Sequence, residues 1–184
     1  MEITFDNYSI APIKEKDTWR ICDFVVANEK RLKDFFPLTV KANLTPTLAE
    51  LFTKEKEKQF EGKDEYLFTV KENTNRTIIG LVFIKELHRK AGQGELVYCL
   101  SYQYEGRGLM SQIASYIIQW AFDIAELETL QAIIHESNLG SRKVVKKNQF
   151  EYITTLQKEH QMSDGSIADM LLYELQKSNF NLNP

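Results

Sequence analysis

Two glycines, Gly106 and Gly108, close the segment Gln103-Tyr-Glu-Gly-Arg-Gly108. It lies between the apolar stretch Glu95-Leu-Val-Tyr-Cys-Leu100 and a run with apolar residues at helical spacing, Leu109, Ile113, Ile117, Trp120 and Ile124. That order predicts a strand, a turn and a largely buried helix. Glycine lets the backbone approach a bound group closely, and the first turn of a helix directs unpaired N–H groups and its positive dipole end at the same place. The chemistry suited to such a turn is the holding of phosphate. No Gly-Lys-Ser/Thr follows, as a nucleoside triphosphate loop requires, and the third glycine of the dinucleotide fingerprint is missing. Glycines also serve strand-to-helix turns for steric reasons alone, so the turn by itself leaves both readings open. Glu95 is the candidate proton acceptor, because a carboxylate in a partly buried cleft has a raised pKa; His135, at the end of the next strand, is its rival.

The elements that must position these groups follow from periodicity and punctuation. Residues 8 to 14 read as a first strand, and Asp17-Thr18 as the cap of a helix whose core face carries Trp19, Ile21, Cys22, Val25 and Val26. Residues 31 to 46 read as a linker with an apolar middle, in which Phe35, Phe36 and Leu38 either tuck onto the core or line a pocket. A second helix begins at Thr47, and its run Lys54-Glu-Lys-Glu-Lys reads as a solvated face with opposite charges side by side. Residues 65 to 70 and 77 to 87 read as paired strands, and Gly92-Gln-Gly94 turns the chain into the strand beginning at Glu95. Beyond the long helix come a strand at 130 to 134, a helix at 138 to 147 capped by Asn138 with Val144 and Val145 inward, and a closing hairpin of 150 to 156 with 167 to 175.

The totals set bounds on function. A chain of 184 residues, 43% hydrophobic and 27% charged, fits one domain spanning 1–184. With 23 basic against 26 acidic residues the net charge of −3 gives no general attraction to nucleic acid or to an anionic membrane, so a polyanion site must be local. No run approaches the ~20 apolar residues of a membrane span and no signal-peptide pattern opens the chain, which predicts a cytosolic protein. Cys22 and Cys99 fall on a helix and a buried strand, poor material for a disulfide or a metal site, and no metal is expected.

The element order and three motifs resemble the GNAT N-acetyltransferases, and within them the RimJ/RimL-like branch that acetylates α-amino groups of ribosomal proteins. The superfamily turn Gln/Arg-x-x-Gly-x-Gly/Ala is matched by Gln103, Gly106 and Gly108; the branch's strand Glu-Ile-Gly-Tyr-x-Leu by Glu95-Leu-Val-Tyr98-Cys-Leu100; and its Asn-x-x-Ser by Asn138 and Ser141. The branch's closing Asn-Gly-Phe stands here as Asn148-Gln149-Phe150. The histone-acetylating branch has a glutamate followed by Val-aromatic-Cys in the same strand, and Glu95-Leu-Val-Tyr-Cys99 is similar to that pattern. The resemblance implies an α/β (α+β) GNAT fold: a mixed, centrally antiparallel twisted sheet of about seven strands flanked by about four helices.

It also implies acetyl-CoA as cofactor and a primary amine as acceptor. On that reading Cys99, Leu100, Ser101, Gln103, Tyr104, Glu105, Gly106, Arg107, Gly108, Leu109 and Asn138 hold the cofactor, with the pyrophosphate on the turn and the amide of Cys99 or Leu100 donating to the thioester oxygen. Glu95 is the base and Ser141 the group that protonates the departing thiolate, since the position where many relatives carry a tyrosine is Val145. Phe35, Phe36, Tyr98 and His135 are assigned to the acceptor. The acceptor implied by the branch is a protein N-terminal α-amine, with a polyamine, amino acid or drug amine as alternative and a non-catalytic CoA-binding module as a third reading. A homodimer through the closing hairpin is left open.

Overall fold

Strands and helices follow in the order the periodicity implies, with one more of each than expected. The computed structural model describes residues 2–181. Its strands are β1 (Ile3–Phe5), β2 (Tyr8–Pro12), β3 (Tyr66–Glu72), β4 (Ile78–His88), β5 (Gln93–Leu100), β6 (Thr129–His135), β7 (Glu151–Gln161) and β8 (Ile167–Gln176). Its helices are α1 (Thr18–Leu32), α2 (Pro37–Lys41), α3 (Pro46–Gly62), α4 (Leu109–Asp123) and α5 (Leu139–Lys147). The sheet order is β1-β2-β3-β4-β5-β6-β8-β7. β1/β2, β2/β3, β6/β8 and β7/β8 are antiparallel, and β5/β6 is parallel. The chain gathers into two compact units, one of residues up to Phe83 with Tyr98–Tyr104, the other of Ile84–Val97 with the residues from Glu105 on.

In the first unit β3 is buried from Tyr66 to Lys71 and the first part of β4 from Ile78 to Phe83, the continuous burial of strands covered on both faces. α1 buries Ile21, Cys22, Phe24, Val25 and Leu32. Trp19 and Val26 do not join them. At 67% and 49% exposed they stand one heptad apart on the other side of the helix, because the inward face is set by 21, 25, 28 and 32. Residues 31 to 46 are not a linker: α1 continues to Leu32 and Pro37 opens the short α2. α3 starts at Pro46 with Thr45 as cap, its hydroxyl accepting the N–H of Leu48. Its charge run is a solvated face, with Lys54 paired to Glu50 one turn away.

Asp17 does not cap α1 with its side chain. One carboxylate oxygen takes the ammonium of Lys71 at 2.6 Å and the other accepts the N–H of Lys14 at 3.2 Å. Both partners are almost fully enclosed, with side chains 2% and 4% exposed, so each charge depends on the other for compensation.

In the second unit α4 buries Leu109, Ile113, Ile117 and Trp120 as expected, but ends at Asp123, leaving Ile124 65% exposed. Lys177 donates its Nζ to the Phe122 carbonyl at that end, where a cation suits the helix dipole. Asn148 is buried and ties α5 to α4, its Nδ2 donating to the carbonyls of Ser111 and Val144. Gln149 occupies left-handed backbone at φ +67°, the conformation that a glycine accepts without strain. Its side chain compensates: Nε2 donates to the carbonyl of Asn181 and Oε1 accepts that residue's N–H. β7 is an almost wholly exposed edge strand with register breaks between Tyr152 and Thr154 and between Leu156 and His160.

Both contacts, the enclosed ion pair and the Gln149 side chain on Asn181, can be checked by unfolding. Lys71→Met leaves a buried carboxylate uncompensated and costs about 3–5 kcal/mol in urea unfolding, whereas Lys71→Met with Asp17→Leu recovers most of the loss. Gln149→Ala and Gln149→Gly both lose the two hydrogen bonds and only alanine keeps the left-handed strain, so Gln149→Ala is less stable than Gln149→Gly by about 1 kcal/mol in the same assay.

Candidate active site

Strand β5 presents alternate peptide groups to opposite edges, and the hydrogen bonds identify which edge is which. Ser101 donates its N–H to Ile79 of β4 at 2.7 Å, so odd-numbered groups back to Cys99 face β4. The carbonyl of Gly92, an even-numbered group, turns the other way and accepts the N–H groups of Glu128 and Thr129 at the approach to β6. Leu100 therefore directs its N–H to the edge away from β4, and Cys99 does not. Pairing of β5 with β6 covers only Gln93, Gly94 and Glu95, and Leu96 and Val97 continue without a partner on that side among the described residues. Gly80 permits the close approach of β4 to the far end of β5: a Cβ there would lie 2.8 Å from the Cys99 carbonyl oxygen.

The glycine turn is built as its spacing implies. Gly106 and Gly108 have φ of +75° and +76°, and a Cβ on Gly106 would meet nothing within 4 Å. The N–H groups of Gly106, Arg107, Gly108, Leu109 and Met110 have no acceptor among the described residues, since α4 has neither a side-chain cap nor a preceding turn of helix. Ser101 and Tyr104 differ: their N–H groups donate to Ile79 and to the Ser101 carbonyl, which removes them from the set of open donors. Gln103 is exposed and donates to the Tyr102 hydroxyl; Glu105 and Arg107 are exposed. The Tyr104 ring meets that of Tyr8 edge-on at 6.2 Å. Lys147, absent from the expected site, brings its Nζ to 4.0 Å from where a Cβ on Gly108 would be. Five unclaimed donors at a helix N-terminus, with space for a close approach, fit a pyrophosphate.

Glu95 is enclosed, with its side chain 13% exposed, and burial pushes its carboxyl above the ordinary glutamate range. The ammonium of Lys85 on β4, 3.2 Å from Oε2, works against that rise, while Glu86 and Glu159 add to it. Neither Lys85 nor Glu159 is adjacent to Glu95 in sequence, and no spacing signal announces them. Cys99 keeps part of its surface in solvent, yet its thiol is desolvated and pushed up to about 12, so it is no thiolate nucleophile near neutral pH. His135 is half-buried, and its Nδ1 is engaged by Ser137, accepting the N–H at 3.3 Å with the hydroxyl at 2.7 Å. That leaves Nε2 to carry the proton of the neutral ring and makes the ring part of a local turn.

Asn138 caps α5, its Oδ1 accepting the N–H of Ser141 at 3.0 Å, so the two motif residues are joined through the cap. Val145 is fully buried, which leaves Ser141 as the hydroxyl on this helix. Phe35, Phe36 and Tyr98 are half-buried, and Phe36 lies 6.2 Å from the ring of Phe83. Both free cysteines remain unpaired, and among the described residues no group of acidic, histidine or cysteine side chains is arranged to hold a metal ion. No helix among those residues is long and apolar enough to cross a membrane.

Comparison with known proteins identifies the family and the fold. Residues 9–151 match the family model described as Acetyltransferase (GNAT) domain, a stretch that runs through both compact units. The probable N-acetyltransferase YjcK of Bacillus subtilis (strain 168) is 28% identical over 97 residues, which is 52% of this chain and 54% of that protein, so the match spans about half the length of this curated relative. The ribosomal-protein-S5-alanine acetyltransferase of Vibrio fischeri superposes with a TM-score of 0.91 at 22% identity over 99% of this chain and 100% of that one. RimL, a ribosomal L7/L12 α-N-protein acetyltransferase solved with coenzyme A, gives 0.87 at 12% identity, covering 96% and 98%. A point mutant of the spermidine N-acetyltransferase SpeG of Vibrio cholerae gives 0.74 at 16%, covering 94% and 95%. With a family model matched over residues 9–151, the chain belongs to the GNAT acetyltransferases.

Proposed function

We propose that this acetyltransferase acts on a protein N-terminal α-amine, in the manner of the RimL-type enzymes it resembles in fold. The observation that carries the reading is a desolvated carboxylate, Glu95, on the strand that leads into a turn of five unclaimed N–H donors. When bound, acetyl-CoA supplies a thioester, whose acetyl group passes to the amine as the C–N bond forms and the C–S bond breaks. The N–H groups of Gly106 to Met110 hold its pyrophosphate, and Lys147 adds a cation beside them. Leu100 directs its N–H to the carbonyl oxygen on which negative charge develops. Glu95 takes the proton that the acceptor nitrogen must lose, and the Ser141 hydroxyl donates to the departing sulfur.

A second reading has its own support. Glu86 and Glu159 place further negative charge around Glu95, which suits a polycationic acceptor, and a spermidine acetyltransferase is among the structural neighbours. An α-amine with a pKa of about 8 gives up its proton more readily than a polyamine nitrogen near 10.4, so both are compatible with a glutamate base.

Incubation with acetyl-CoA and a panel of N-terminal peptides and polyamines, read as release of free thiol, decides between them. Turnover on peptides and none on polyamines is expected; the reverse overturns the acceptor assignment, and no thiol from either overturns both. Glu95→Gln lowers kcat by about 10²–10⁴-fold and removes the acid limb of the pH profile. Because burial raises the folded-state pKa, the stability contributed by protonated Glu95 is full below the unfolded value and is lost as pH rises through the folded one. Glu95→Gln, neutral throughout, is therefore at least as stable as the parent at pH 7 in thermal unfolding. Gly106→Ala meets nothing within the protein, so its loss of CoA affinity in calorimetry, about tenfold or more, exceeds what the loss of stability from positive φ explains.

A further inference from the structure

Glu95 is an awkward base. Its carboxylate is desolvated, it stands near two other acids, and a carboxylate in those surroundings favours holding a proton over accepting one. The charged and polar groups that face it can be taken element by element. From β4 come Lys85 and Glu86; from β6, Gln131 stands opposite Glu95 in register; Gln131 donates its Nε2 to Glu174 of β8; and from β7 comes Glu159. Lys85 is the cation of this group.

The placement of that cation has a local cause. Residues of β4 from Ile78 to Ile84 are buried, and at Glu86 the backbone turns to φ +50°, in the left-handed region that a non-glycine residue enters at a cost. Such an irregularity in a strand re-aims the neighbouring side chains. Next to it, Lys85 is 37% exposed, with its Nζ 3.2 Å from Oε2 of Glu95. Oε1 of Glu95 has no hydrogen bond or ion pair among the described residues. One carboxylate oxygen is thus held and the other is available.

We propose that Lys85 is a positioning residue for this reaction: its ammonium anchors Oε2 of Glu95, fixing the rotamer that offers Oε1 to the acceptor and keeping the carboxylate ionised in a desolvated site. The inference rests on the reading of Glu95 as the base. The proton that moves is the acceptor's, from nitrogen to Oε1. A cationic acceptor then approaches a carboxylate whose charge is already partly compensated, so capture and deprotonation are balanced by the same pair.

The test is the pH dependence of kcat/KM for Lys85→Met, Lys85→Arg and Glu95→Gln, measured with two acceptors of different amine pKa so that the limb belonging to the enzyme is separated from that of the amine. Lys85→Met is expected to move the enzyme's acid limb to higher pH and to lower kcat at neutral pH by about tenfold to a hundredfold with the KM for acetyl-CoA unchanged. Lys85→Arg restores the limb, which a merely structural contact would not require. If Glu95→Gln removes the acid limb while Lys85→Met leaves it in place with kcat unchanged, the role of Lys85 is overturned and the base stands. If Glu95→Gln keeps the limb, the base itself is overturned. Should methionine at 85 impair folding, as judged by thermal unfolding, Lys85→Gln gives the same discrimination.

Discussion

A helix cannot satisfy its own first N–H groups, and at α4 nothing else in the described chain does so. The donors of Gly106 to Met110 remain directed outward because the residues that would precede them in a helix are instead a glycine turn with positive φ. The remaining features of the site are arranged about that deficit. β5 brings its strand directly into the turn, Lys147 from the last turn of α5 adds charge of the same sign, and both make the corner a place that gains from a polyanion. A cap residue at position 108 would have stabilised α4 and blocked this use.

At Glu95 burial and charge oppose each other. A carboxylate with ordinary solvation would be ionised at neutral pH at little cost, and would also be a weak proton acceptor. Burial makes it more basic and makes its charge costly to the fold, and the ion pair with Lys85 reduces that cost. The same trade is absent at Asp17 and Lys71, where enclosure of both partners in the first unit serves structure and leaves no oxygen open to a substrate, Lys14 taking the second one. The two pairs differ in enclosure, Lys71 being 4% exposed and Lys85 37%, and in whether a carboxylate oxygen remains available.

Departures from the family pattern also have physical accounts. Where relatives place glycine after the closing asparagine, Gln149 adopts the left-handed conformation regardless and compensates through two hydrogen bonds to Asn181. Val145 occupies the position of a tyrosine in many relatives and is wholly buried, and Ser141 is the hydroxyl residue on α5. Cys99, which sequence pattern places among the cofactor contacts, has a desolvated thiol and a peptide N–H directed at β4; Leu100 is the member of that pair with an open donor.

Local chemistry was sufficient to read the strand, turn and helix around Gly106 and the cap at Asn138, because each depends on residues within one or two turns of chain. It also placed most strands within two residues, since apolar runs bounded by turn residues mark a strand whether its burial alternates, as in β6, or is continuous, as in β3. What it misjudged were matters of which face is covered: Trp19, Val26 and Ile124 are apolar yet exposed, and α2 lies inside what reads as a linker. β1 was missed because three residues carry no period. Lys85 and Glu159 set the environment of Glu95 from other strands, and Lys147 reaches Gly108 from another helix. Charges act through space and not along the chain, so their placement, and with it the proton affinity of Glu95, was decided only when the sheet assembled.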